Sequence, residues 1–246
     1  MANWNDPQPT RSPFGDARIN GDVLTATQRD EGLRSYMLSI YNYMASGVLL
    51  SGVIALLFAR SGMAEAVFAT PLRWVVMLAP LGFVMAMSFG LNKMQTSTLK
   101  LLFWGFAVAM GLSMASVFLL YTGVSIATTF FATAGAFAGL SLYGYTTKRN
   151  LSAMGSFMAM GLIGIIIAMV LNMFVKSSGL GLAISVLGVL IFAGLTAWDN
   201  QRLRQTYFQV QGTDMVEKVV IMGALSLYLD FVNMFQFLLS LMGSRR

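Results

Sequence analysis

The sequence predicts an all-α integral membrane protein with seven transmembrane helices, and three observations support this fold class. Hydrophobic residues make up 57% of the 246 residues and charged residues only 11%, which is outside the usual balance of a soluble domain. The apolar residues form seven runs of about 18 to 25 residues, the length that one helix needs to cross a bilayer. The loops between the runs are short, so the chemistry is expected to lie within the membrane.

The chain opens with a polar segment, residues 1–34, which we predict to be a flexible cytoplasmic tail with a short interfacial helix from about Thr25. Proline and glycine among charged residues disfavour a packed structure there. The segment has no apolar core of a signal peptide, so the first apolar run is expected to direct membrane insertion. Residues 35–246 are then the seven-helix transmembrane domain.

The seven apolar runs are residues 36–59, 74–91, 101–121, 126–145, 152–175, 180–198 and 219–242. The weakest break is YTGVS at residues 121–125, which carries no charge. Fusing its neighbours would require a helix of more than about 40 residues, which is unusual. Within the fourth run, Gly135 and Gly139 form a GxxxG motif, which predicts close helix packing.

Lysine and arginine predict the orientation of the chain. With seven spans, eleven of the sixteen basic residues fall on the side of the N-terminus and five on the opposite side. Because basic residues are enriched in cytoplasmic loops, the N-terminus is expected in the cytoplasm and the C-terminus outside. The same distribution explains the net charge of +6 without nucleic-acid binding.

The chain contains no cysteine and no histidine. This excludes disulfides, thiolate or imidazole metal sites, and Cys or Ser–His catalysis. We therefore expect no enzymatic activity and no cofactor, and any chemistry should use carboxylates, amides, hydroxyls or backbone.

Two carboxylates stand out because they lie in or beside apolar runs. Asp230 is in the middle of the seventh run, and an ionisable residue there is expected to face protein or water rather than lipid. Asp199 follows the sixth run in GLTAWDNQRLR, and the two side chains approach each other if that helix continues beyond Asp199. Two adjacent carboxylates cannot both ionise cheaply, so the pair is expected to hold one proton and to sense pH. Deprotonated, it offers hard oxygen ligands for Ca²⁺.

A simpler interpretation remains open for both residues. Asp199 would then face headgroup water beside Asn200 and Arg202, and Asp230 would hydrogen-bond to Tyr228 or Asn233 on its own helix. Tyr228, Asn233 and Asn200 are the predicted supporting polar residues of the site.

Three motifs resemble the Bax inhibitor-1 family, which includes many bacterial YccA-like members. GLTAWDNQRLR is similar to the sixth-helix signature of that family, ALSLYLDFVNMFQFLLSLMG to its seventh-helix signature, and YGYTTKRNLSAMGSF to its fourth loop. The resemblance covers roughly residues 25–243.

The resemblance implies a seventh helix in the centre of the bundle and an aspartate dyad, Asp199 and Asp230, that opens and closes a calcium leak with pH. It also implies a location in the bacterial inner membrane. Bacterial relatives carry an arginine latch at the cytoplasmic end of the second helix, where this chain reads FGLNKMQ. Lys93 is the nearest cation and the candidate latch. Lysine cannot form the planar bidentate pair of arginine.

Two other classes of function stay open. One is a non-conducting regulator of a membrane protease or of a cell-death or stress pathway, which would tolerate loss of Asp230. The other is a proton-coupled transporter, because intramembrane aspartates also serve proton relays. The expected partners are the lipid bilayer, Ca²⁺ and protons, with a membrane protease or another membrane protein for the regulator.

Overall fold

The computed structural model describes residues 26 to 245, and within this range the regular structure is entirely helical, which confirms the all-α prediction. Long apolar runs favour helices in a membrane because every backbone N–H and C=O is then satisfied within the helix. In chain order the helices are α1 (Ala26–Arg60), α2 (Met63–Phe68), α3 (Leu72–Gly90), α4 (Thr96–Leu120), α5 (Gly123–Thr146), α6 (Ser152–Val175), α7 (Ser178–Val210) and α8 (Met215–Met242).

Six helices in the described part of the chain are long and apolar enough to cross a membrane: α1 from Asp30 onward, and α3 to α7. The sequence predicts seven. The seventh predicted span corresponds to α8, which has 28 residues and lies among the others. The six-residue helix α2 is too short to span and connects α1 to α3.

The N-terminal end of the transmembrane region differs in detail from the prediction. Residues 26–34, expected in the tail, form the first turns of α1 and continue into the membrane helix. The rest of the predicted tail, residues 1–25, lies outside the described residues. At the uncharged break YTGVS, α4 ends at Leu120 and α5 begins at Gly123, so the two runs are separate helices.

The C-terminal end of the chain lies beside the turn between α4 and α5. Thr122 N donates to Ser244 O over 3.1 Å, and Tyr121 forms an isolated antiparallel bridge with Arg245. The end of α8 and this turn are therefore on the same side of the bundle.

The last helix, α8, occupies the middle of the bundle and packs against α1, α4, α5 and α7. Tyr228 at its centre is fully buried, with its ring 4.9 Å from that of Phe106. Its hydroxyl hydrogen-bonds to that of Ser51 over 2.6 Å, and Ser51 donates to Ala107 O over 2.7 Å. Hydrogen bonds between helices of this kind stabilise packing where lipid removes the hydrophobic driving force.

The GxxxG motif does not mark a helix contact. Gly135 and Gly139 lie on the exposed face of α5, and a Cβ atom at either would meet open space. Instead, Gly144 approaches α7 so closely that a Cβ would lie 2.1 Å from Ala197 O. The spacing of small residues indicates where two helices could pack closely. Which glycine lies at the contact depends on the face that the helix buries.

Replacing Gly144 with alanine is expected to destabilise the bundle next to Asp199. The added methyl group meets backbone rather than a movable side chain, so the helices must separate, at a cost of about 1–3 kcal/mol. Thermal unfolding of the purified protein in detergent should show a lower midpoint. Gly139→Ala is the matched control, and it should be neutral or stabilising because helix propensity improves. Equal midpoints for the two variants would contradict the assigned packing.

Candidate functional site

Helix α7 continues well beyond the apolar run that predicted it. The run ends at Trp198, but the helix extends to Val210, so Asp199 lies within the helix rather than at its mouth. Asp199 is only 4% exposed and therefore does not face open headgroup water.

The carboxyl group of Asp199 is held by groups from two helices. Ser226 of α8 donates its hydroxyl to Asp199 Oδ2 in a short hydrogen bond. On the other side, Arg202 Nη2 lies 3.0 Å from Asp199 Oδ1, one turn along α7. The pair is an ionic contact without hydrogen-bond alignment, since Oδ1 has no hydrogen-bond donor. Arg202 also donates to Ser226 Oγ over 3.3 Å, and its guanidinium carbon lies 4.7 Å from the centre of the Trp198 ring.

Asp230 completes the site from α8, one helical turn after Ser226. Its carboxyl group is within hydrogen-bonding reach of that of Asp199, and Asp230 is only 5% exposed. Apart from the Asp199 carboxyl group, Asp230 Oδ2 has no hydrogen-bond partner among the described residues, although it is buried. Two carboxyl groups at this distance in a buried site favour one shared proton, because a second negative charge would be poorly solvated. The structure thus brings the two predicted aspartates together.

Two crevices meet beside this aspartate pair, at Ser226 and Leu229. The first, which we call the N-terminal crevice, lies between α3, α7 and the first half of α8, has a volume of about 310 Å³, and is lined by Ser88, Arg202 and Thr206 among others. The second, the C-terminal crevice, lies between α6, α7 and the second half of α8 and has a volume of about 790 Å³. Ser226 and Leu229 line both crevices. The contacts of Ser226 therefore lie at the junction between them.

The predicted supporting residues divide between the site and the packing around it. Asn233 lines the C-terminal crevice and donates from Nδ2 to Leu229 O over 2.8 Å. Asn200 points away from the pair: it accepts from Tyr41 Oη and donates to Ser141 Oγ, and so connects α7 to α1 and α5. Tyr228 connects α8 to α1 through Ser51, as described above, and does not contact Asp230.

Lys93 lies exposed just after α3 and forms no ion pair among the described residues. The cation beside the aspartates is Arg202, three residues after Asp199 on the same helix. Sequence reasoning missed the roles of Arg202 and Ser226. The signals were the Asp-x-x-Arg spacing in α7 and the four-residue spacing from Ser226 to Asp230 in α8, since both place side chains on one helix face.

The ligands at the site are the two carboxylates, the Ser226 hydroxyl and the free amide oxygen of Asn233. Among residues 26 to 245 there is no group of three or more His, Cys, Asp or Glu side chains that would hold a metal ion. These groups are fewer than the six to eight oxygen ligands of a dedicated Ca²⁺ site.

Comparison with known proteins gives a consistent result. A family model described as inhibitor of apoptosis-promoting Bax1 matches residues 33–246. An uncharacterized protein of Rickettsia prowazekii is 44% identical over 91% of this chain and 97% of its own length. One from Caulobacter vibrioides is 46% identical over 88% of this chain and 91% of its own. The inner membrane protein YbhL of Escherichia coli is 40% identical over 87% and 94%.

Proposed function

The chain belongs to the Bax inhibitor-1 family of membrane proteins, and from this premise we propose that it is a pH-sensitive calcium leak channel gated by Asp199 and Asp230. The observation that carries the proposal is the contact of two buried carboxyl groups where two crevices meet. In this proposal α8 is the seventh span, the N-terminus is cytoplasmic and the protein lies in the bacterial inner membrane, where its relative YbhL is named.

In this proposal the arrangement of the side chains in the structure is the closed state. Asp199 bridges Ser226 of α8 and Arg202 of its own helix, so the polar side chains at the junction are bound to one another. A permeating cation would have to break these contacts to pass from one crevice to the other. The shared proton between the aspartates removes the repulsion that would otherwise separate α7 and α8.

Raising the pH removes that proton. Two negative charges then lie side by side, and the single positive charge of Arg202 can balance only one of them. Arg202 is the charged group facing the pair, and its charge also acts on the buried Tyr36 of α1. The excess negative charge is relieved by separation of α7 from α8 or by entry of a hard cation such as Ca²⁺. Conduction should therefore be low at acidic pH and rise with pH.

Calcium efflux from proteoliposomes tests the proposal. Vesicles loaded with Ca²⁺ and a fluorescent indicator, and containing the full chain, should release Ca²⁺ faster at alkaline than at acidic pH. Release of one shared proton limits the change to about tenfold for each pH unit. Protein-free vesicles are the control. Absence of efflux at every pH from correctly folded protein would exclude the channel and favour the non-conducting regulator.

A further inference from the structure

Polar side chains continue along α8 beyond Asp230 towards its C-terminal end. Asn233, Gln236 and Ser240 follow at spacings of three, three and four residues, which places them on one face of the helix. Asn233 is half-buried, whereas Gln236 and Ser240 are exposed. At 1.5 Å per residue the stripe from Asp230 to Ser240 is about 15 Å long, half the thickness of a bilayer core.

This stripe forms one wall of the C-terminal crevice. The opposite wall comes from α6 and is mostly apolar, with Ile165, Ile166 and Met169. Asn172, near the end of α6, also lines it and accepts from Ser177 N through Oδ1. Helix α6 packs against α7 and leaves a gap of about 790 Å³ to α8. Near the C-terminal end of α8, Ser185 of α7 donates to Ser240 Oγ over 3.0 Å, which narrows the crevice there.

Amide side chains are costly in contact with acyl chains, because they lose hydrogen bonds to water and gain none. Their oxygen atoms are free in this structure where they line the crevice. Asn233 uses Nδ2 for Leu229 O and leaves Oδ1 available. Asp230 lines the crevice at its inner end. The crevice therefore presents a carboxyl group followed by amide oxygens along a single line.

We propose that the C-terminal crevice is a water-filled vestibule in which Asp230, Asn233 and Gln236 form a transit site for a hydrated divalent cation, with the Ser185–Ser240 hydrogen bond at its mouth. This inference rests on the proposed channel function and deepens it, since it names the route between the aspartate pair and the predicted outer face. One carboxylate and two amide groups provide hard oxygen ligands with a single negative charge. Such a site favours a divalent cation that retains part of its water. The mostly apolar face of α6 opposite the stripe adds few ligands, which keeps binding weak enough for release.

Accessibility of single cysteines tests whether the vestibule contains water. The chain has no cysteine, so each variant carries a single thiol. A charged, membrane-impermeant thiol reagent added to the outside of membranes should label Gln236→Cys and Ser240→Cys. It should not label Met234→Cys, which is buried on another face of α8, or Ile167→Cys, which is on the exposed apolar face of α6. If Gln236→Cys resists labelling, the crevice is filled by lipid or by a partner helix, and the inference is wrong.

The charge of the reagent tests the cation site. With Asp230 at the inner end, a cationic reagent should label Gln236→Cys about tenfold faster than an anionic reagent of similar size. Adding Ca²⁺ should slow the cationic reagent by competition, and Asp230→Asn in the same background should remove the preference. Equal rates for the two reagents would show an aqueous crevice without a cation site and would overturn the proposal.

These measurements need no ion flux, so they separate the inference from the channel function. Labelling with a cationic preference in a protein that shows no calcium efflux would support the vestibule and exclude the channel. Where the wild type conducts, Gln236→Leu should reduce efflux several-fold, while Gln209→Leu, the same change on the exposed end of α7, should not. Efflux unaffected by Gln236→Leu would count against the transit site while leaving the channel intact.

Discussion

Asp230→Asn is expected to abolish the pH dependence of calcium efflux, from about tenfold per pH unit to a flat profile. Asparagine has nearly the same shape but no proton to release, so the pair can no longer acquire its second negative charge. Asp199 would remain bound to Ser226 and Arg202, and the contacts at the junction of the crevices would persist at every pH. We therefore expect efflux that is low and constant.

Asp199→Asn should also flatten the pH profile, but at a different level. This change removes the ionic contact with Arg202 and weakens the hydrogen bond from Ser226, which together hold α7 to α8 at the junction. Efflux should then be constant and raised. Opposite basal levels in the two variants, with a common loss of pH dependence, would distinguish a gate from a general structural defect.

The matched control is Asp214→Asn, the same chemical change at an exposed position in the turn before α8. It should keep the wild-type profile. If Asp199→Asn and Asp230→Asn both kept it too, the assignment of the aspartate pair would fail. Calcium efflux that saturates with Ca²⁺ concentration and depends on a pH gradient across the vesicle membrane would instead indicate the proton-coupled transporter.

The fold class was predictable because hydrophobic runs of bilayer length have few alternatives to a transmembrane helix. Even the uncharged break at residues 121–125 was placed correctly, since Thr122 caps α5 by accepting from Ser125 N. The ends of α1 and α7 were not, because both helices continue into polar sequence where hydropathy gives no signal. Asp199, Asn200 and Gln201 are buried in this extension, where they hydrogen-bond to neighbouring segments of the chain.

The aspartates were identifiable because an acidic side chain at membrane depth is costly unless it faces protein, water or a partner. Their partners were not, because the contacts of Ser226 and Arg202 depend on the register between α7 and α8, which is set by packing. Gly188 illustrates this dependence: a Cβ there would lie 2.6 Å from the ring of Phe237, so the ring sits directly against the helix backbone. One sequence does not reveal such a pairing.

Arg202→Gln is expected to move the pH profile of efflux to higher pH by about one unit. The positive charge beside Asp199 favours ionisation of the aspartate pair, so its removal makes the shared proton harder to release. A neighbouring arginine usually changes the pKa of a carboxyl group by about 1–3. We expect the smaller effect because the Arg202 side chain is 45% exposed and its charge is partly screened. Efflux would be measured across a series of pH values in proteoliposomes. The slope should stay close to that of the wild type, since both aspartates remain.

Two further variants decide whether the effect arises from the charge at this position. Arg202→Lys keeps the charge and should restore most of the profile, although lysine cannot reproduce the contact of a planar guanidinium with Trp198. Arg204→Gln removes an equal charge from the same helix, but Arg204 Nη1 donates to Tyr145 O over 2.8 Å, away from the aspartates. It should leave the profile unchanged. A shift to lower pH in Arg202→Gln would mean that the ionic contact mainly holds the gate shut, and that its loss outweighs the change in proton affinity.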